Sequence, residues 1–370
     1  MSHLLLAGAT VDGGPPGAGW LRIDDGRIAA IGTGRPPGEA HIDLRGAEVV
    51  PGFVDPHCHG GLYSGRHADV ITAARTHLTA GTTSLLASIA TTGLPAMCDA
   101  ARAIAQTVAA GEAPNIVGIH YEGPFLSVRR RGAQTSTALR QPDERVLEQL
   151  LEAAGGLART MTIAPELPGA LELIRQRPEI AVSLGHSDAT ATTFTAAVHA
   201  GARAVTHLFN ALPALDHRQP GPVGVALTDQ RLSVDLIADG HNVHDTMLRL
   251  AVAAAGPQRV LAVTDAMPAA GLGDGVYAFA DRQVSVRDGA AHLRGTDTLA
   301  GSTLTLDRAG VRLRALTDSP AHTVAMTSAN AARLLGLDDR GTLSPGKRAD
   351  LVVLNSDGTA GRVVLAGRWI

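Results

Sequence analysis

Cysteine and lysine are almost missing from this chain. Among 370 residues only Cys58 and Cys98 carry thiols, which excludes a disulfide framework and a Cys-rich zinc site. Cys58 reads as a small buried apolar residue. Lys347 is the only lysine and sits in the polar segment Ser344-Pro345-Gly346-Lys347-Arg348. A two-ion centre bridged by a carboxylated lysine on a barrel strand is therefore excluded, and any bridge must come from Asp or Glu. No apolar stretch reaches membrane-spanning length, and Met1-Ser2-His3-Leu4 has neither the charged region nor the cleavage site of a signal peptide, so a cytoplasmic protein is expected. A large excess of either charge is also missing, with 32 Lys and Arg against 35 Asp and Glu. A net charge of −3 argues against nucleic acid or an anionic membrane as the main partner. Apolar residues, at 45% of the chain, are enough to bury one large domain and a smaller one.

The organisation follows from patterning. Short strands are expected at residues 3–7, 20–23, 27–31 and 41–44, with a hairpin at Asp24-Asp25-Gly26-Arg27. The C-terminal end has the same texture, with strands at 350–354 and 362–365. Neither end has enough apolar faces to stand alone, so residues 1–51 and 340–370 are expected to pair into one small β-sandwich. Between them, apolar runs alternate with alanine-rich helical stretches, the signature of a parallel sheet with crossover helices. Eight such runs, at 52–55, 84–88, 115–120, 160–165, 181–186, 204–209, 232–238 and 259–264, predict an α/β fold. Its core is a (β/α)8 TIM-like barrel over residues 52–339. A β excursion is expected near 275–295, and helices from about 304 and 321.

His57-Cys58-His59 follows the first of these runs. Side chains at i and i+2 leave a strand on the same side, so the two imidazoles converge on one point, a place for a divalent cation. The other candidate ligands fall where a barrel does its chemistry, at the C-terminal ends of its strands. Glu122 follows the third run, His186 closes the fifth, His207 lies in the sixth and Asp265 caps the eighth. Glu122, His186 and His207 form a set for one ion; His57 and His59, with Glu122 as a bridge, form a set for a second. Nitrogen and oxygen donors without thiolate suit zinc, iron, manganese or cobalt. Asp265 is positioned to take the proton of activated water and deliver it to a leaving amine. His120, two residues before Glu122, reads as a packing residue.

With these residues in hand, the chain resembles the amidohydrolase superfamily and, within it, the N-acetylglucosamine-6-phosphate deacetylase family, over nearly its whole length. The segments that carry the resemblance are Pro51-Gly52-Phe53-Val54-Asp55-Pro56-His57-Cys58-His59-Gly60, Tyr121-Glu122-Gly123-Pro124-Phe125-Leu126, Gly185-His186-Ser187, Thr206-His207-Leu208-Phe209-Asn210-Ala211, Val263-Thr264-Asp265-Ala266, Leu299-Ala300-Gly301-Ser302 and Gly346-Lys347-Arg348-Ala349-Asp350-Leu351. The resemblance implies hydrolysis of the acetamide of an N-acetyl amino-sugar phosphate, with one or two divalent ions per subunit, zinc foremost. It also implies a homodimer in which Arg218 holds the phosphate and reaches into the partner's site. Asn210 and Ala211 contribute from their loop, and Leu299, Ala300 and Gly301 line the sugar pocket.

Two departures bear on substrate. The family usually has Gly-Ala-His where this chain has Gly132-Ala133-Gln134, and Asp-Gly-x-His where it has Asp239-Gly240-His241-Asn242. By the resemblance both missing histidines contact the substrate's sugar or acetyl oxygen, so Ala133, Gln134, His241 and Asn242 are expected at the substrate; Gln134 and Asn242 still donate hydrogen bonds but carry no positive charge. His241 or His244 is expected to compensate only through a shifted loop. The alternatives left open are another N-acyl amino sugar, such as N-acetylgalactosamine 6-phosphate, and a non-catalytic sugar-phosphate-binding relative.

Overall fold

The structure, a computed structural model, describes residues 3–11, 14–60, 65–279 and 282–370. Met1 and Ser2, read above for a leader, lie outside the described residues. The N-terminal strands His3–Val11, Gly19–Asp24 and Arg27–Thr33 form an antiparallel meander. Its expected hairpin closes with Asp24 opposite Arg27, and Asp25 and Gly26 both take the positive φ that a two-residue turn of this twist requires. Ile42–Asp43 pairs parallel to the first strand. Glu48–Pro51 is the junction: it lies parallel to the end of the first strand and antiparallel to Leu351–Leu354, which continues to Ala360–Leu365 and Arg368–Trp369. Both chain ends thus share one core, in which Leu6, Leu21, Ile23 and Ile28 meet Val49, Leu351, Val353 and Val364.

Gly52 passes the chain from this layer into the barrel. Its N–H donates to Asp350 O (2.8 Å), and a β-carbon there would run into Thr83 Oγ1, so only glycine fits against the Thr83 side chain. The eight barrel strands follow: Phe53–Cys58, Thr82–Ala90, Ile116–Glu122, Ala158–Ile163, Ala181–Leu184, Ala204–Val205, Ser233–Ile237 and Val260–Val263. Each pairs in parallel with the next in chain order, and their near-continuous burial matches a sheet covered on both faces. The ring is drawn shut beyond the last strand, where Asp265 N donates to His57 O (2.8 Å) and Thr264 Oγ1 to Asp55 Oδ2 (2.6 Å).

The fifth and sixth strands are shorter than their apolar runs predict. They stop at Leu184 and Val205 because His186, His207, Phe209 and Ala211 all take positive φ, which breaks the ladder. The excursion after the eighth strand is a three-stranded antiparallel sheet, Gly275–Phe279, Arg282–Arg287 and Ala290–Leu293, on its own small core of Met267, Phe279, Val284, Val286 and Leu293. Ala280 and Asp281, within the expected excursion, lie outside the described residues. The later helices begin at Leu306 and Pro320. Among the described residues no helix is long and apolar enough to cross a membrane, and both cysteines are free and buried.

Candidate metal centre and active site

Strand alternation brings His57 and His59 together as expected. Their Nε2 atoms are 3.3 Å apart, while Cys58 between them is buried on the other side against Ala266 and Ala270. Glu122, at the end of the third barrel strand, faces them with two differently engaged oxygens. Oε1 lies 2.9 Å from His186 Nε2 and 3.1 Å from His207 Nε2, and Oε2 lies 3.1 Å from His59 Nε2. Asp265 Oδ1 is 3.4 Å from the Nε2 atoms of both His57 and His59. His186, His207 and Asp265 each leave their strand in the left-handed region, with φ of 47°, 30° and 45°. That conformation is costly for a residue with a β-carbon, and it recurs here at three of the groups that converge on one point. All six side chains are buried or nearly so, Asp265 being the most open at 11%.

Two ring orientations are set by acceptors that have no proton to give. His59 Nδ1 lies 3.1 Å from Ser88 O and His186 Nδ1 lies 2.8 Å from Arg130 O, so each Nδ1 carries the hydrogen and each Nε2 can turn a lone pair inward. The donors thus fit a divalent cation, with Glu122, His186 and His207 as one set and His57, His59 and Glu122 as the other. The electrostatics agree. Burial disfavours a charged Glu122, yet His186, His207 and His59 hold its carboxyl well below the usual range. Burial likewise opposes a charged His59, but Asp265 and Glu122 draw it up to about 10, so the pocket favours positive charge.

His120 takes the packing role expected of it. Its Nδ1 lies 2.9 Å from Ser88 Oγ and its Nε2 lies 2.8 Å from Thr162 Oγ1, with the ring edge-on to His57 at 4.6 Å, and burial pushes it down to about 3. Asp55, Cys58 and His77 form a third cluster beneath, but both Asp55 oxygens are committed to Thr264 and the His57 N–H.

Above the ligands opens a cavity of about 740 Å³ including its mouth. Of the residues expected to contact substrate, Ala133, Gln134, Asn210, Ala211, Asn242, Leu299 and Gly301 line it. Ala300 does not: it is fully buried in the core of the three-stranded excursion, and only its neighbours face the cavity. His241 is exposed beside Gly289, and His244 caps the helix Asp245–Ala255, so neither replaces a lost histidine. Arg218 is exposed on a loop whose turn is held by Asp216, outside the cavity. Gln134 is committed inward, as its Oε1 accepts the Thr91 N–H (2.7 Å) and its Nε2 donates to Glu122 Oε2. Asn242 Nδ2 donates to Asp239 Oδ2 (2.7 Å). Phe279 and Thr298 also line the cavity and were not singled out from sequence. Phe279 belongs to the excursion, where its large apolar side chain was the one available signal.

The amidohydrolase family profile matches residues 49–370. The N-acetylglucosamine-6-phosphate deacetylase of Bacillus subtilis is 37% identical over 92% of this chain and 89% of its own length. The N-acetylgalactosamine-6-phosphate deacetylase of Escherichia coli O157:H7 is also 37% identical, over 91% of this chain and 92% of its own length. Among solved structures, an N-acetyl-D-glucosamine-6-phosphate deacetylase mutant from Mycobacterium smegmatis, in complex with N-acetyl-D-glucosamine-6-phosphate, superposes with a TM-score of 0.94. It is 39% identical and covers 100% of this chain and 99% of that one.

Proposed function

Because the chain belongs to the amidohydrolase family, we propose that it hydrolyses the acetamide of N-acetylglucosamine 6-phosphate, giving glucosamine 6-phosphate and acetate. One observation carries this reading. Four imidazole Nε2 atoms and Glu122 converge beside Asp265, and His59, His186, His207, Glu122 and Asp265 form the floor of a cavity large enough for a sugar phosphate. A divalent cation bound there, zinc in our reading, supplies Lewis acidity toward the acetyl carbonyl and toward water.

The protein's own groups do the rest. Glu122, His186 and His207 hold the ion, and His57 and His59 offer a second position. Asp265 takes a proton from the attacking water and returns it to the departing nitrogen, so that one carboxylate serves as base and then as acid. Asn210, Ala211, Leu299 and Gly301 orient the sugar, and Phe279 gives it an apolar wall. In this reading the enzyme is a cytoplasmic homodimer, and Arg218, exposed in its own subunit, grips the 6-phosphate in the partner's pocket.

The same chemistry on N-acetylgalactosamine 6-phosphate is the second reading, favoured by the equally identical relative named for that substrate. A non-catalytic binder has no use for a full ligand set with a carboxylate beside it. Acetate release by metal-reconstituted protein, measured across N-acetylhexosamines with and without a 6-phosphate, tests the proposal. The highest kcat/KM is expected on N-acetylglucosamine 6-phosphate. Preference for the galactosamine epimer selects the second reading, and no acetate from any phosphorylated sugar overturns both.

A further inference from the structure

The two oxygens of Glu122 are not equivalent. Oε1 is shared by His186 and His207 at 2.9 and 3.1 Å. Oε2 faces His59 and at the same time accepts a hydrogen bond from Gln134 Nε2. The direction of that amide is fixed, because Gln134 Oε1 accepts the Thr91 N–H across 2.7 Å and a flipped side chain would set its NH2 against that donor. Thr91 Oγ1 also donates to Glu122 O (2.6 Å), which ties the clamp and the carboxylate to one stretch of backbone. Gln134 is 6% exposed. A residue expected to touch substrate lines the cavity and is also braced against a candidate ligand.

We propose that Gln134 ranks the two cation positions. It is a positioning residue that keeps Glu122 Oε2 occupied and leaves Oε1 as the open donor, so the position of His186 and His207 fills first. The position of His57 and His59 meets the carboxylate most closely at Oε2, 3.1 Å from His59 Nε2, while His57 Nε2 lies 3.7 Å from Oε1. There the carboxylate's charge is already partly met by an N–H, which makes Oε2 the weaker donor to a second ion. This inference rests on reading the site as a divalent-cation centre, not on which amide is cleaved.

The test is a zinc titration of the metal-stripped full chain, with ion content read by elemental analysis and each affinity by competition with a chelator. The native protein should take one ion tightly and a second roughly ten- to a hundredfold more weakly, the range outer-shell partners usually command. The tight ion should survive His59→Asn and be lost in His186→Asn. Gln134→Leu, which keeps the bulk without the donor, should tighten the second step by about tenfold, the opposite sign to the loss that follows removal of an ordinary outer-shell partner, and leave the first nearly unchanged. A packing role alone would weaken both steps together. Equal affinities in the native protein, a tight ion lost with His59, or a Gln134→Leu titration unchanged or weakened in both steps overturns the inference. Should Gln134→Leu fail to fold, the native and histidine-variant titrations still decide it. No zinc bound at all would instead remove the cation reading of the site.

Discussion

Thr264 Oγ1 donates to Asp55 Oδ2 across 2.6 Å and so joins the last barrel strand to the first, at the point where Asp55 also receives the His57 and Thr264 N–H groups. Thr264→Val has the same shape and no donor, and leaves a buried carboxylate oxygen without its partner. A loss of about 1–3 kcal/mol is expected in denaturant unfolding. An unchanged midpoint would mean that the bond contributes nothing to closing the ring.

Asp265 stands 3.4 Å from both His57 and His59 and is the most exposed of the six clustered side chains. Asp265→Asn keeps the size and loses the base. Metal content should be unchanged while kcat falls by roughly 10²–10⁴-fold, the usual contribution of a positioned acid or base. Turnover at the native rate would exclude the proton-transfer role.

Arg218 lies outside the cavity, and its phosphate-binding role belongs to the dimer reading. Arg218→Ala should raise KM for the phosphorylated sugar about 10–100-fold, the worth of one hydrogen bond to a charged group, and barely alter the unphosphorylated one. An equal effect on both would show that it does not hold phosphate. Sedimentation of the native protein as a monomer would exclude its acting across a dimer.

His77 is buried with neither ring nitrogen hydrogen-bonded among the described residues, and burial pushes it down to about 4 from its ordinary 6.5, the charge of Asp307 opposing. The folded state therefore favours the neutral ring. Below pH 6.5 the unfolded chain binds a proton that the folded chain does not, so stability contributed by the neutral ring is lost as pH falls from 6.5 toward 4. His77→Leu should remove roughly 3 kcal/mol of that decline. Parallel stability profiles for the two proteins between those pH values would refute it.

Sequence reasoning reached the His57 and His59 pair because alternation along a strand is a local rule. It reached the rim because a barrel gathers the ends of its strands. It overran the fifth and sixth strands, since apolar runs continue through Gly185-His186 and Thr206-His207 while the backbone turns left-handed there, a geometry with no compositional mark in residues other than glycine. It expected Gln134 to face substrate and had no means of seeing the Thr91 N–H that turns it toward Glu122. The backbone acceptors Ser88 O and Arg130 O were equally hidden, because every residue offers a carbonyl and only the fold decides which one a histidine meets. Phe279 and Thr298 reach the cavity from a sheet whose existence was legible and whose docking was not.

Glu48–Pro51 pairs with Leu351–Leu354 and runs through Gly52 straight into the strand that bears His57 and His59. The two strands are joined by a single residue, so slipping that pairing by one place would displace the strand that carries both imidazoles. The carboxy-terminal tail thereby acts as an alignment gauge for ligands nearly three hundred positions upstream, and disabling lesions can be sought in a region that never meets the sugar.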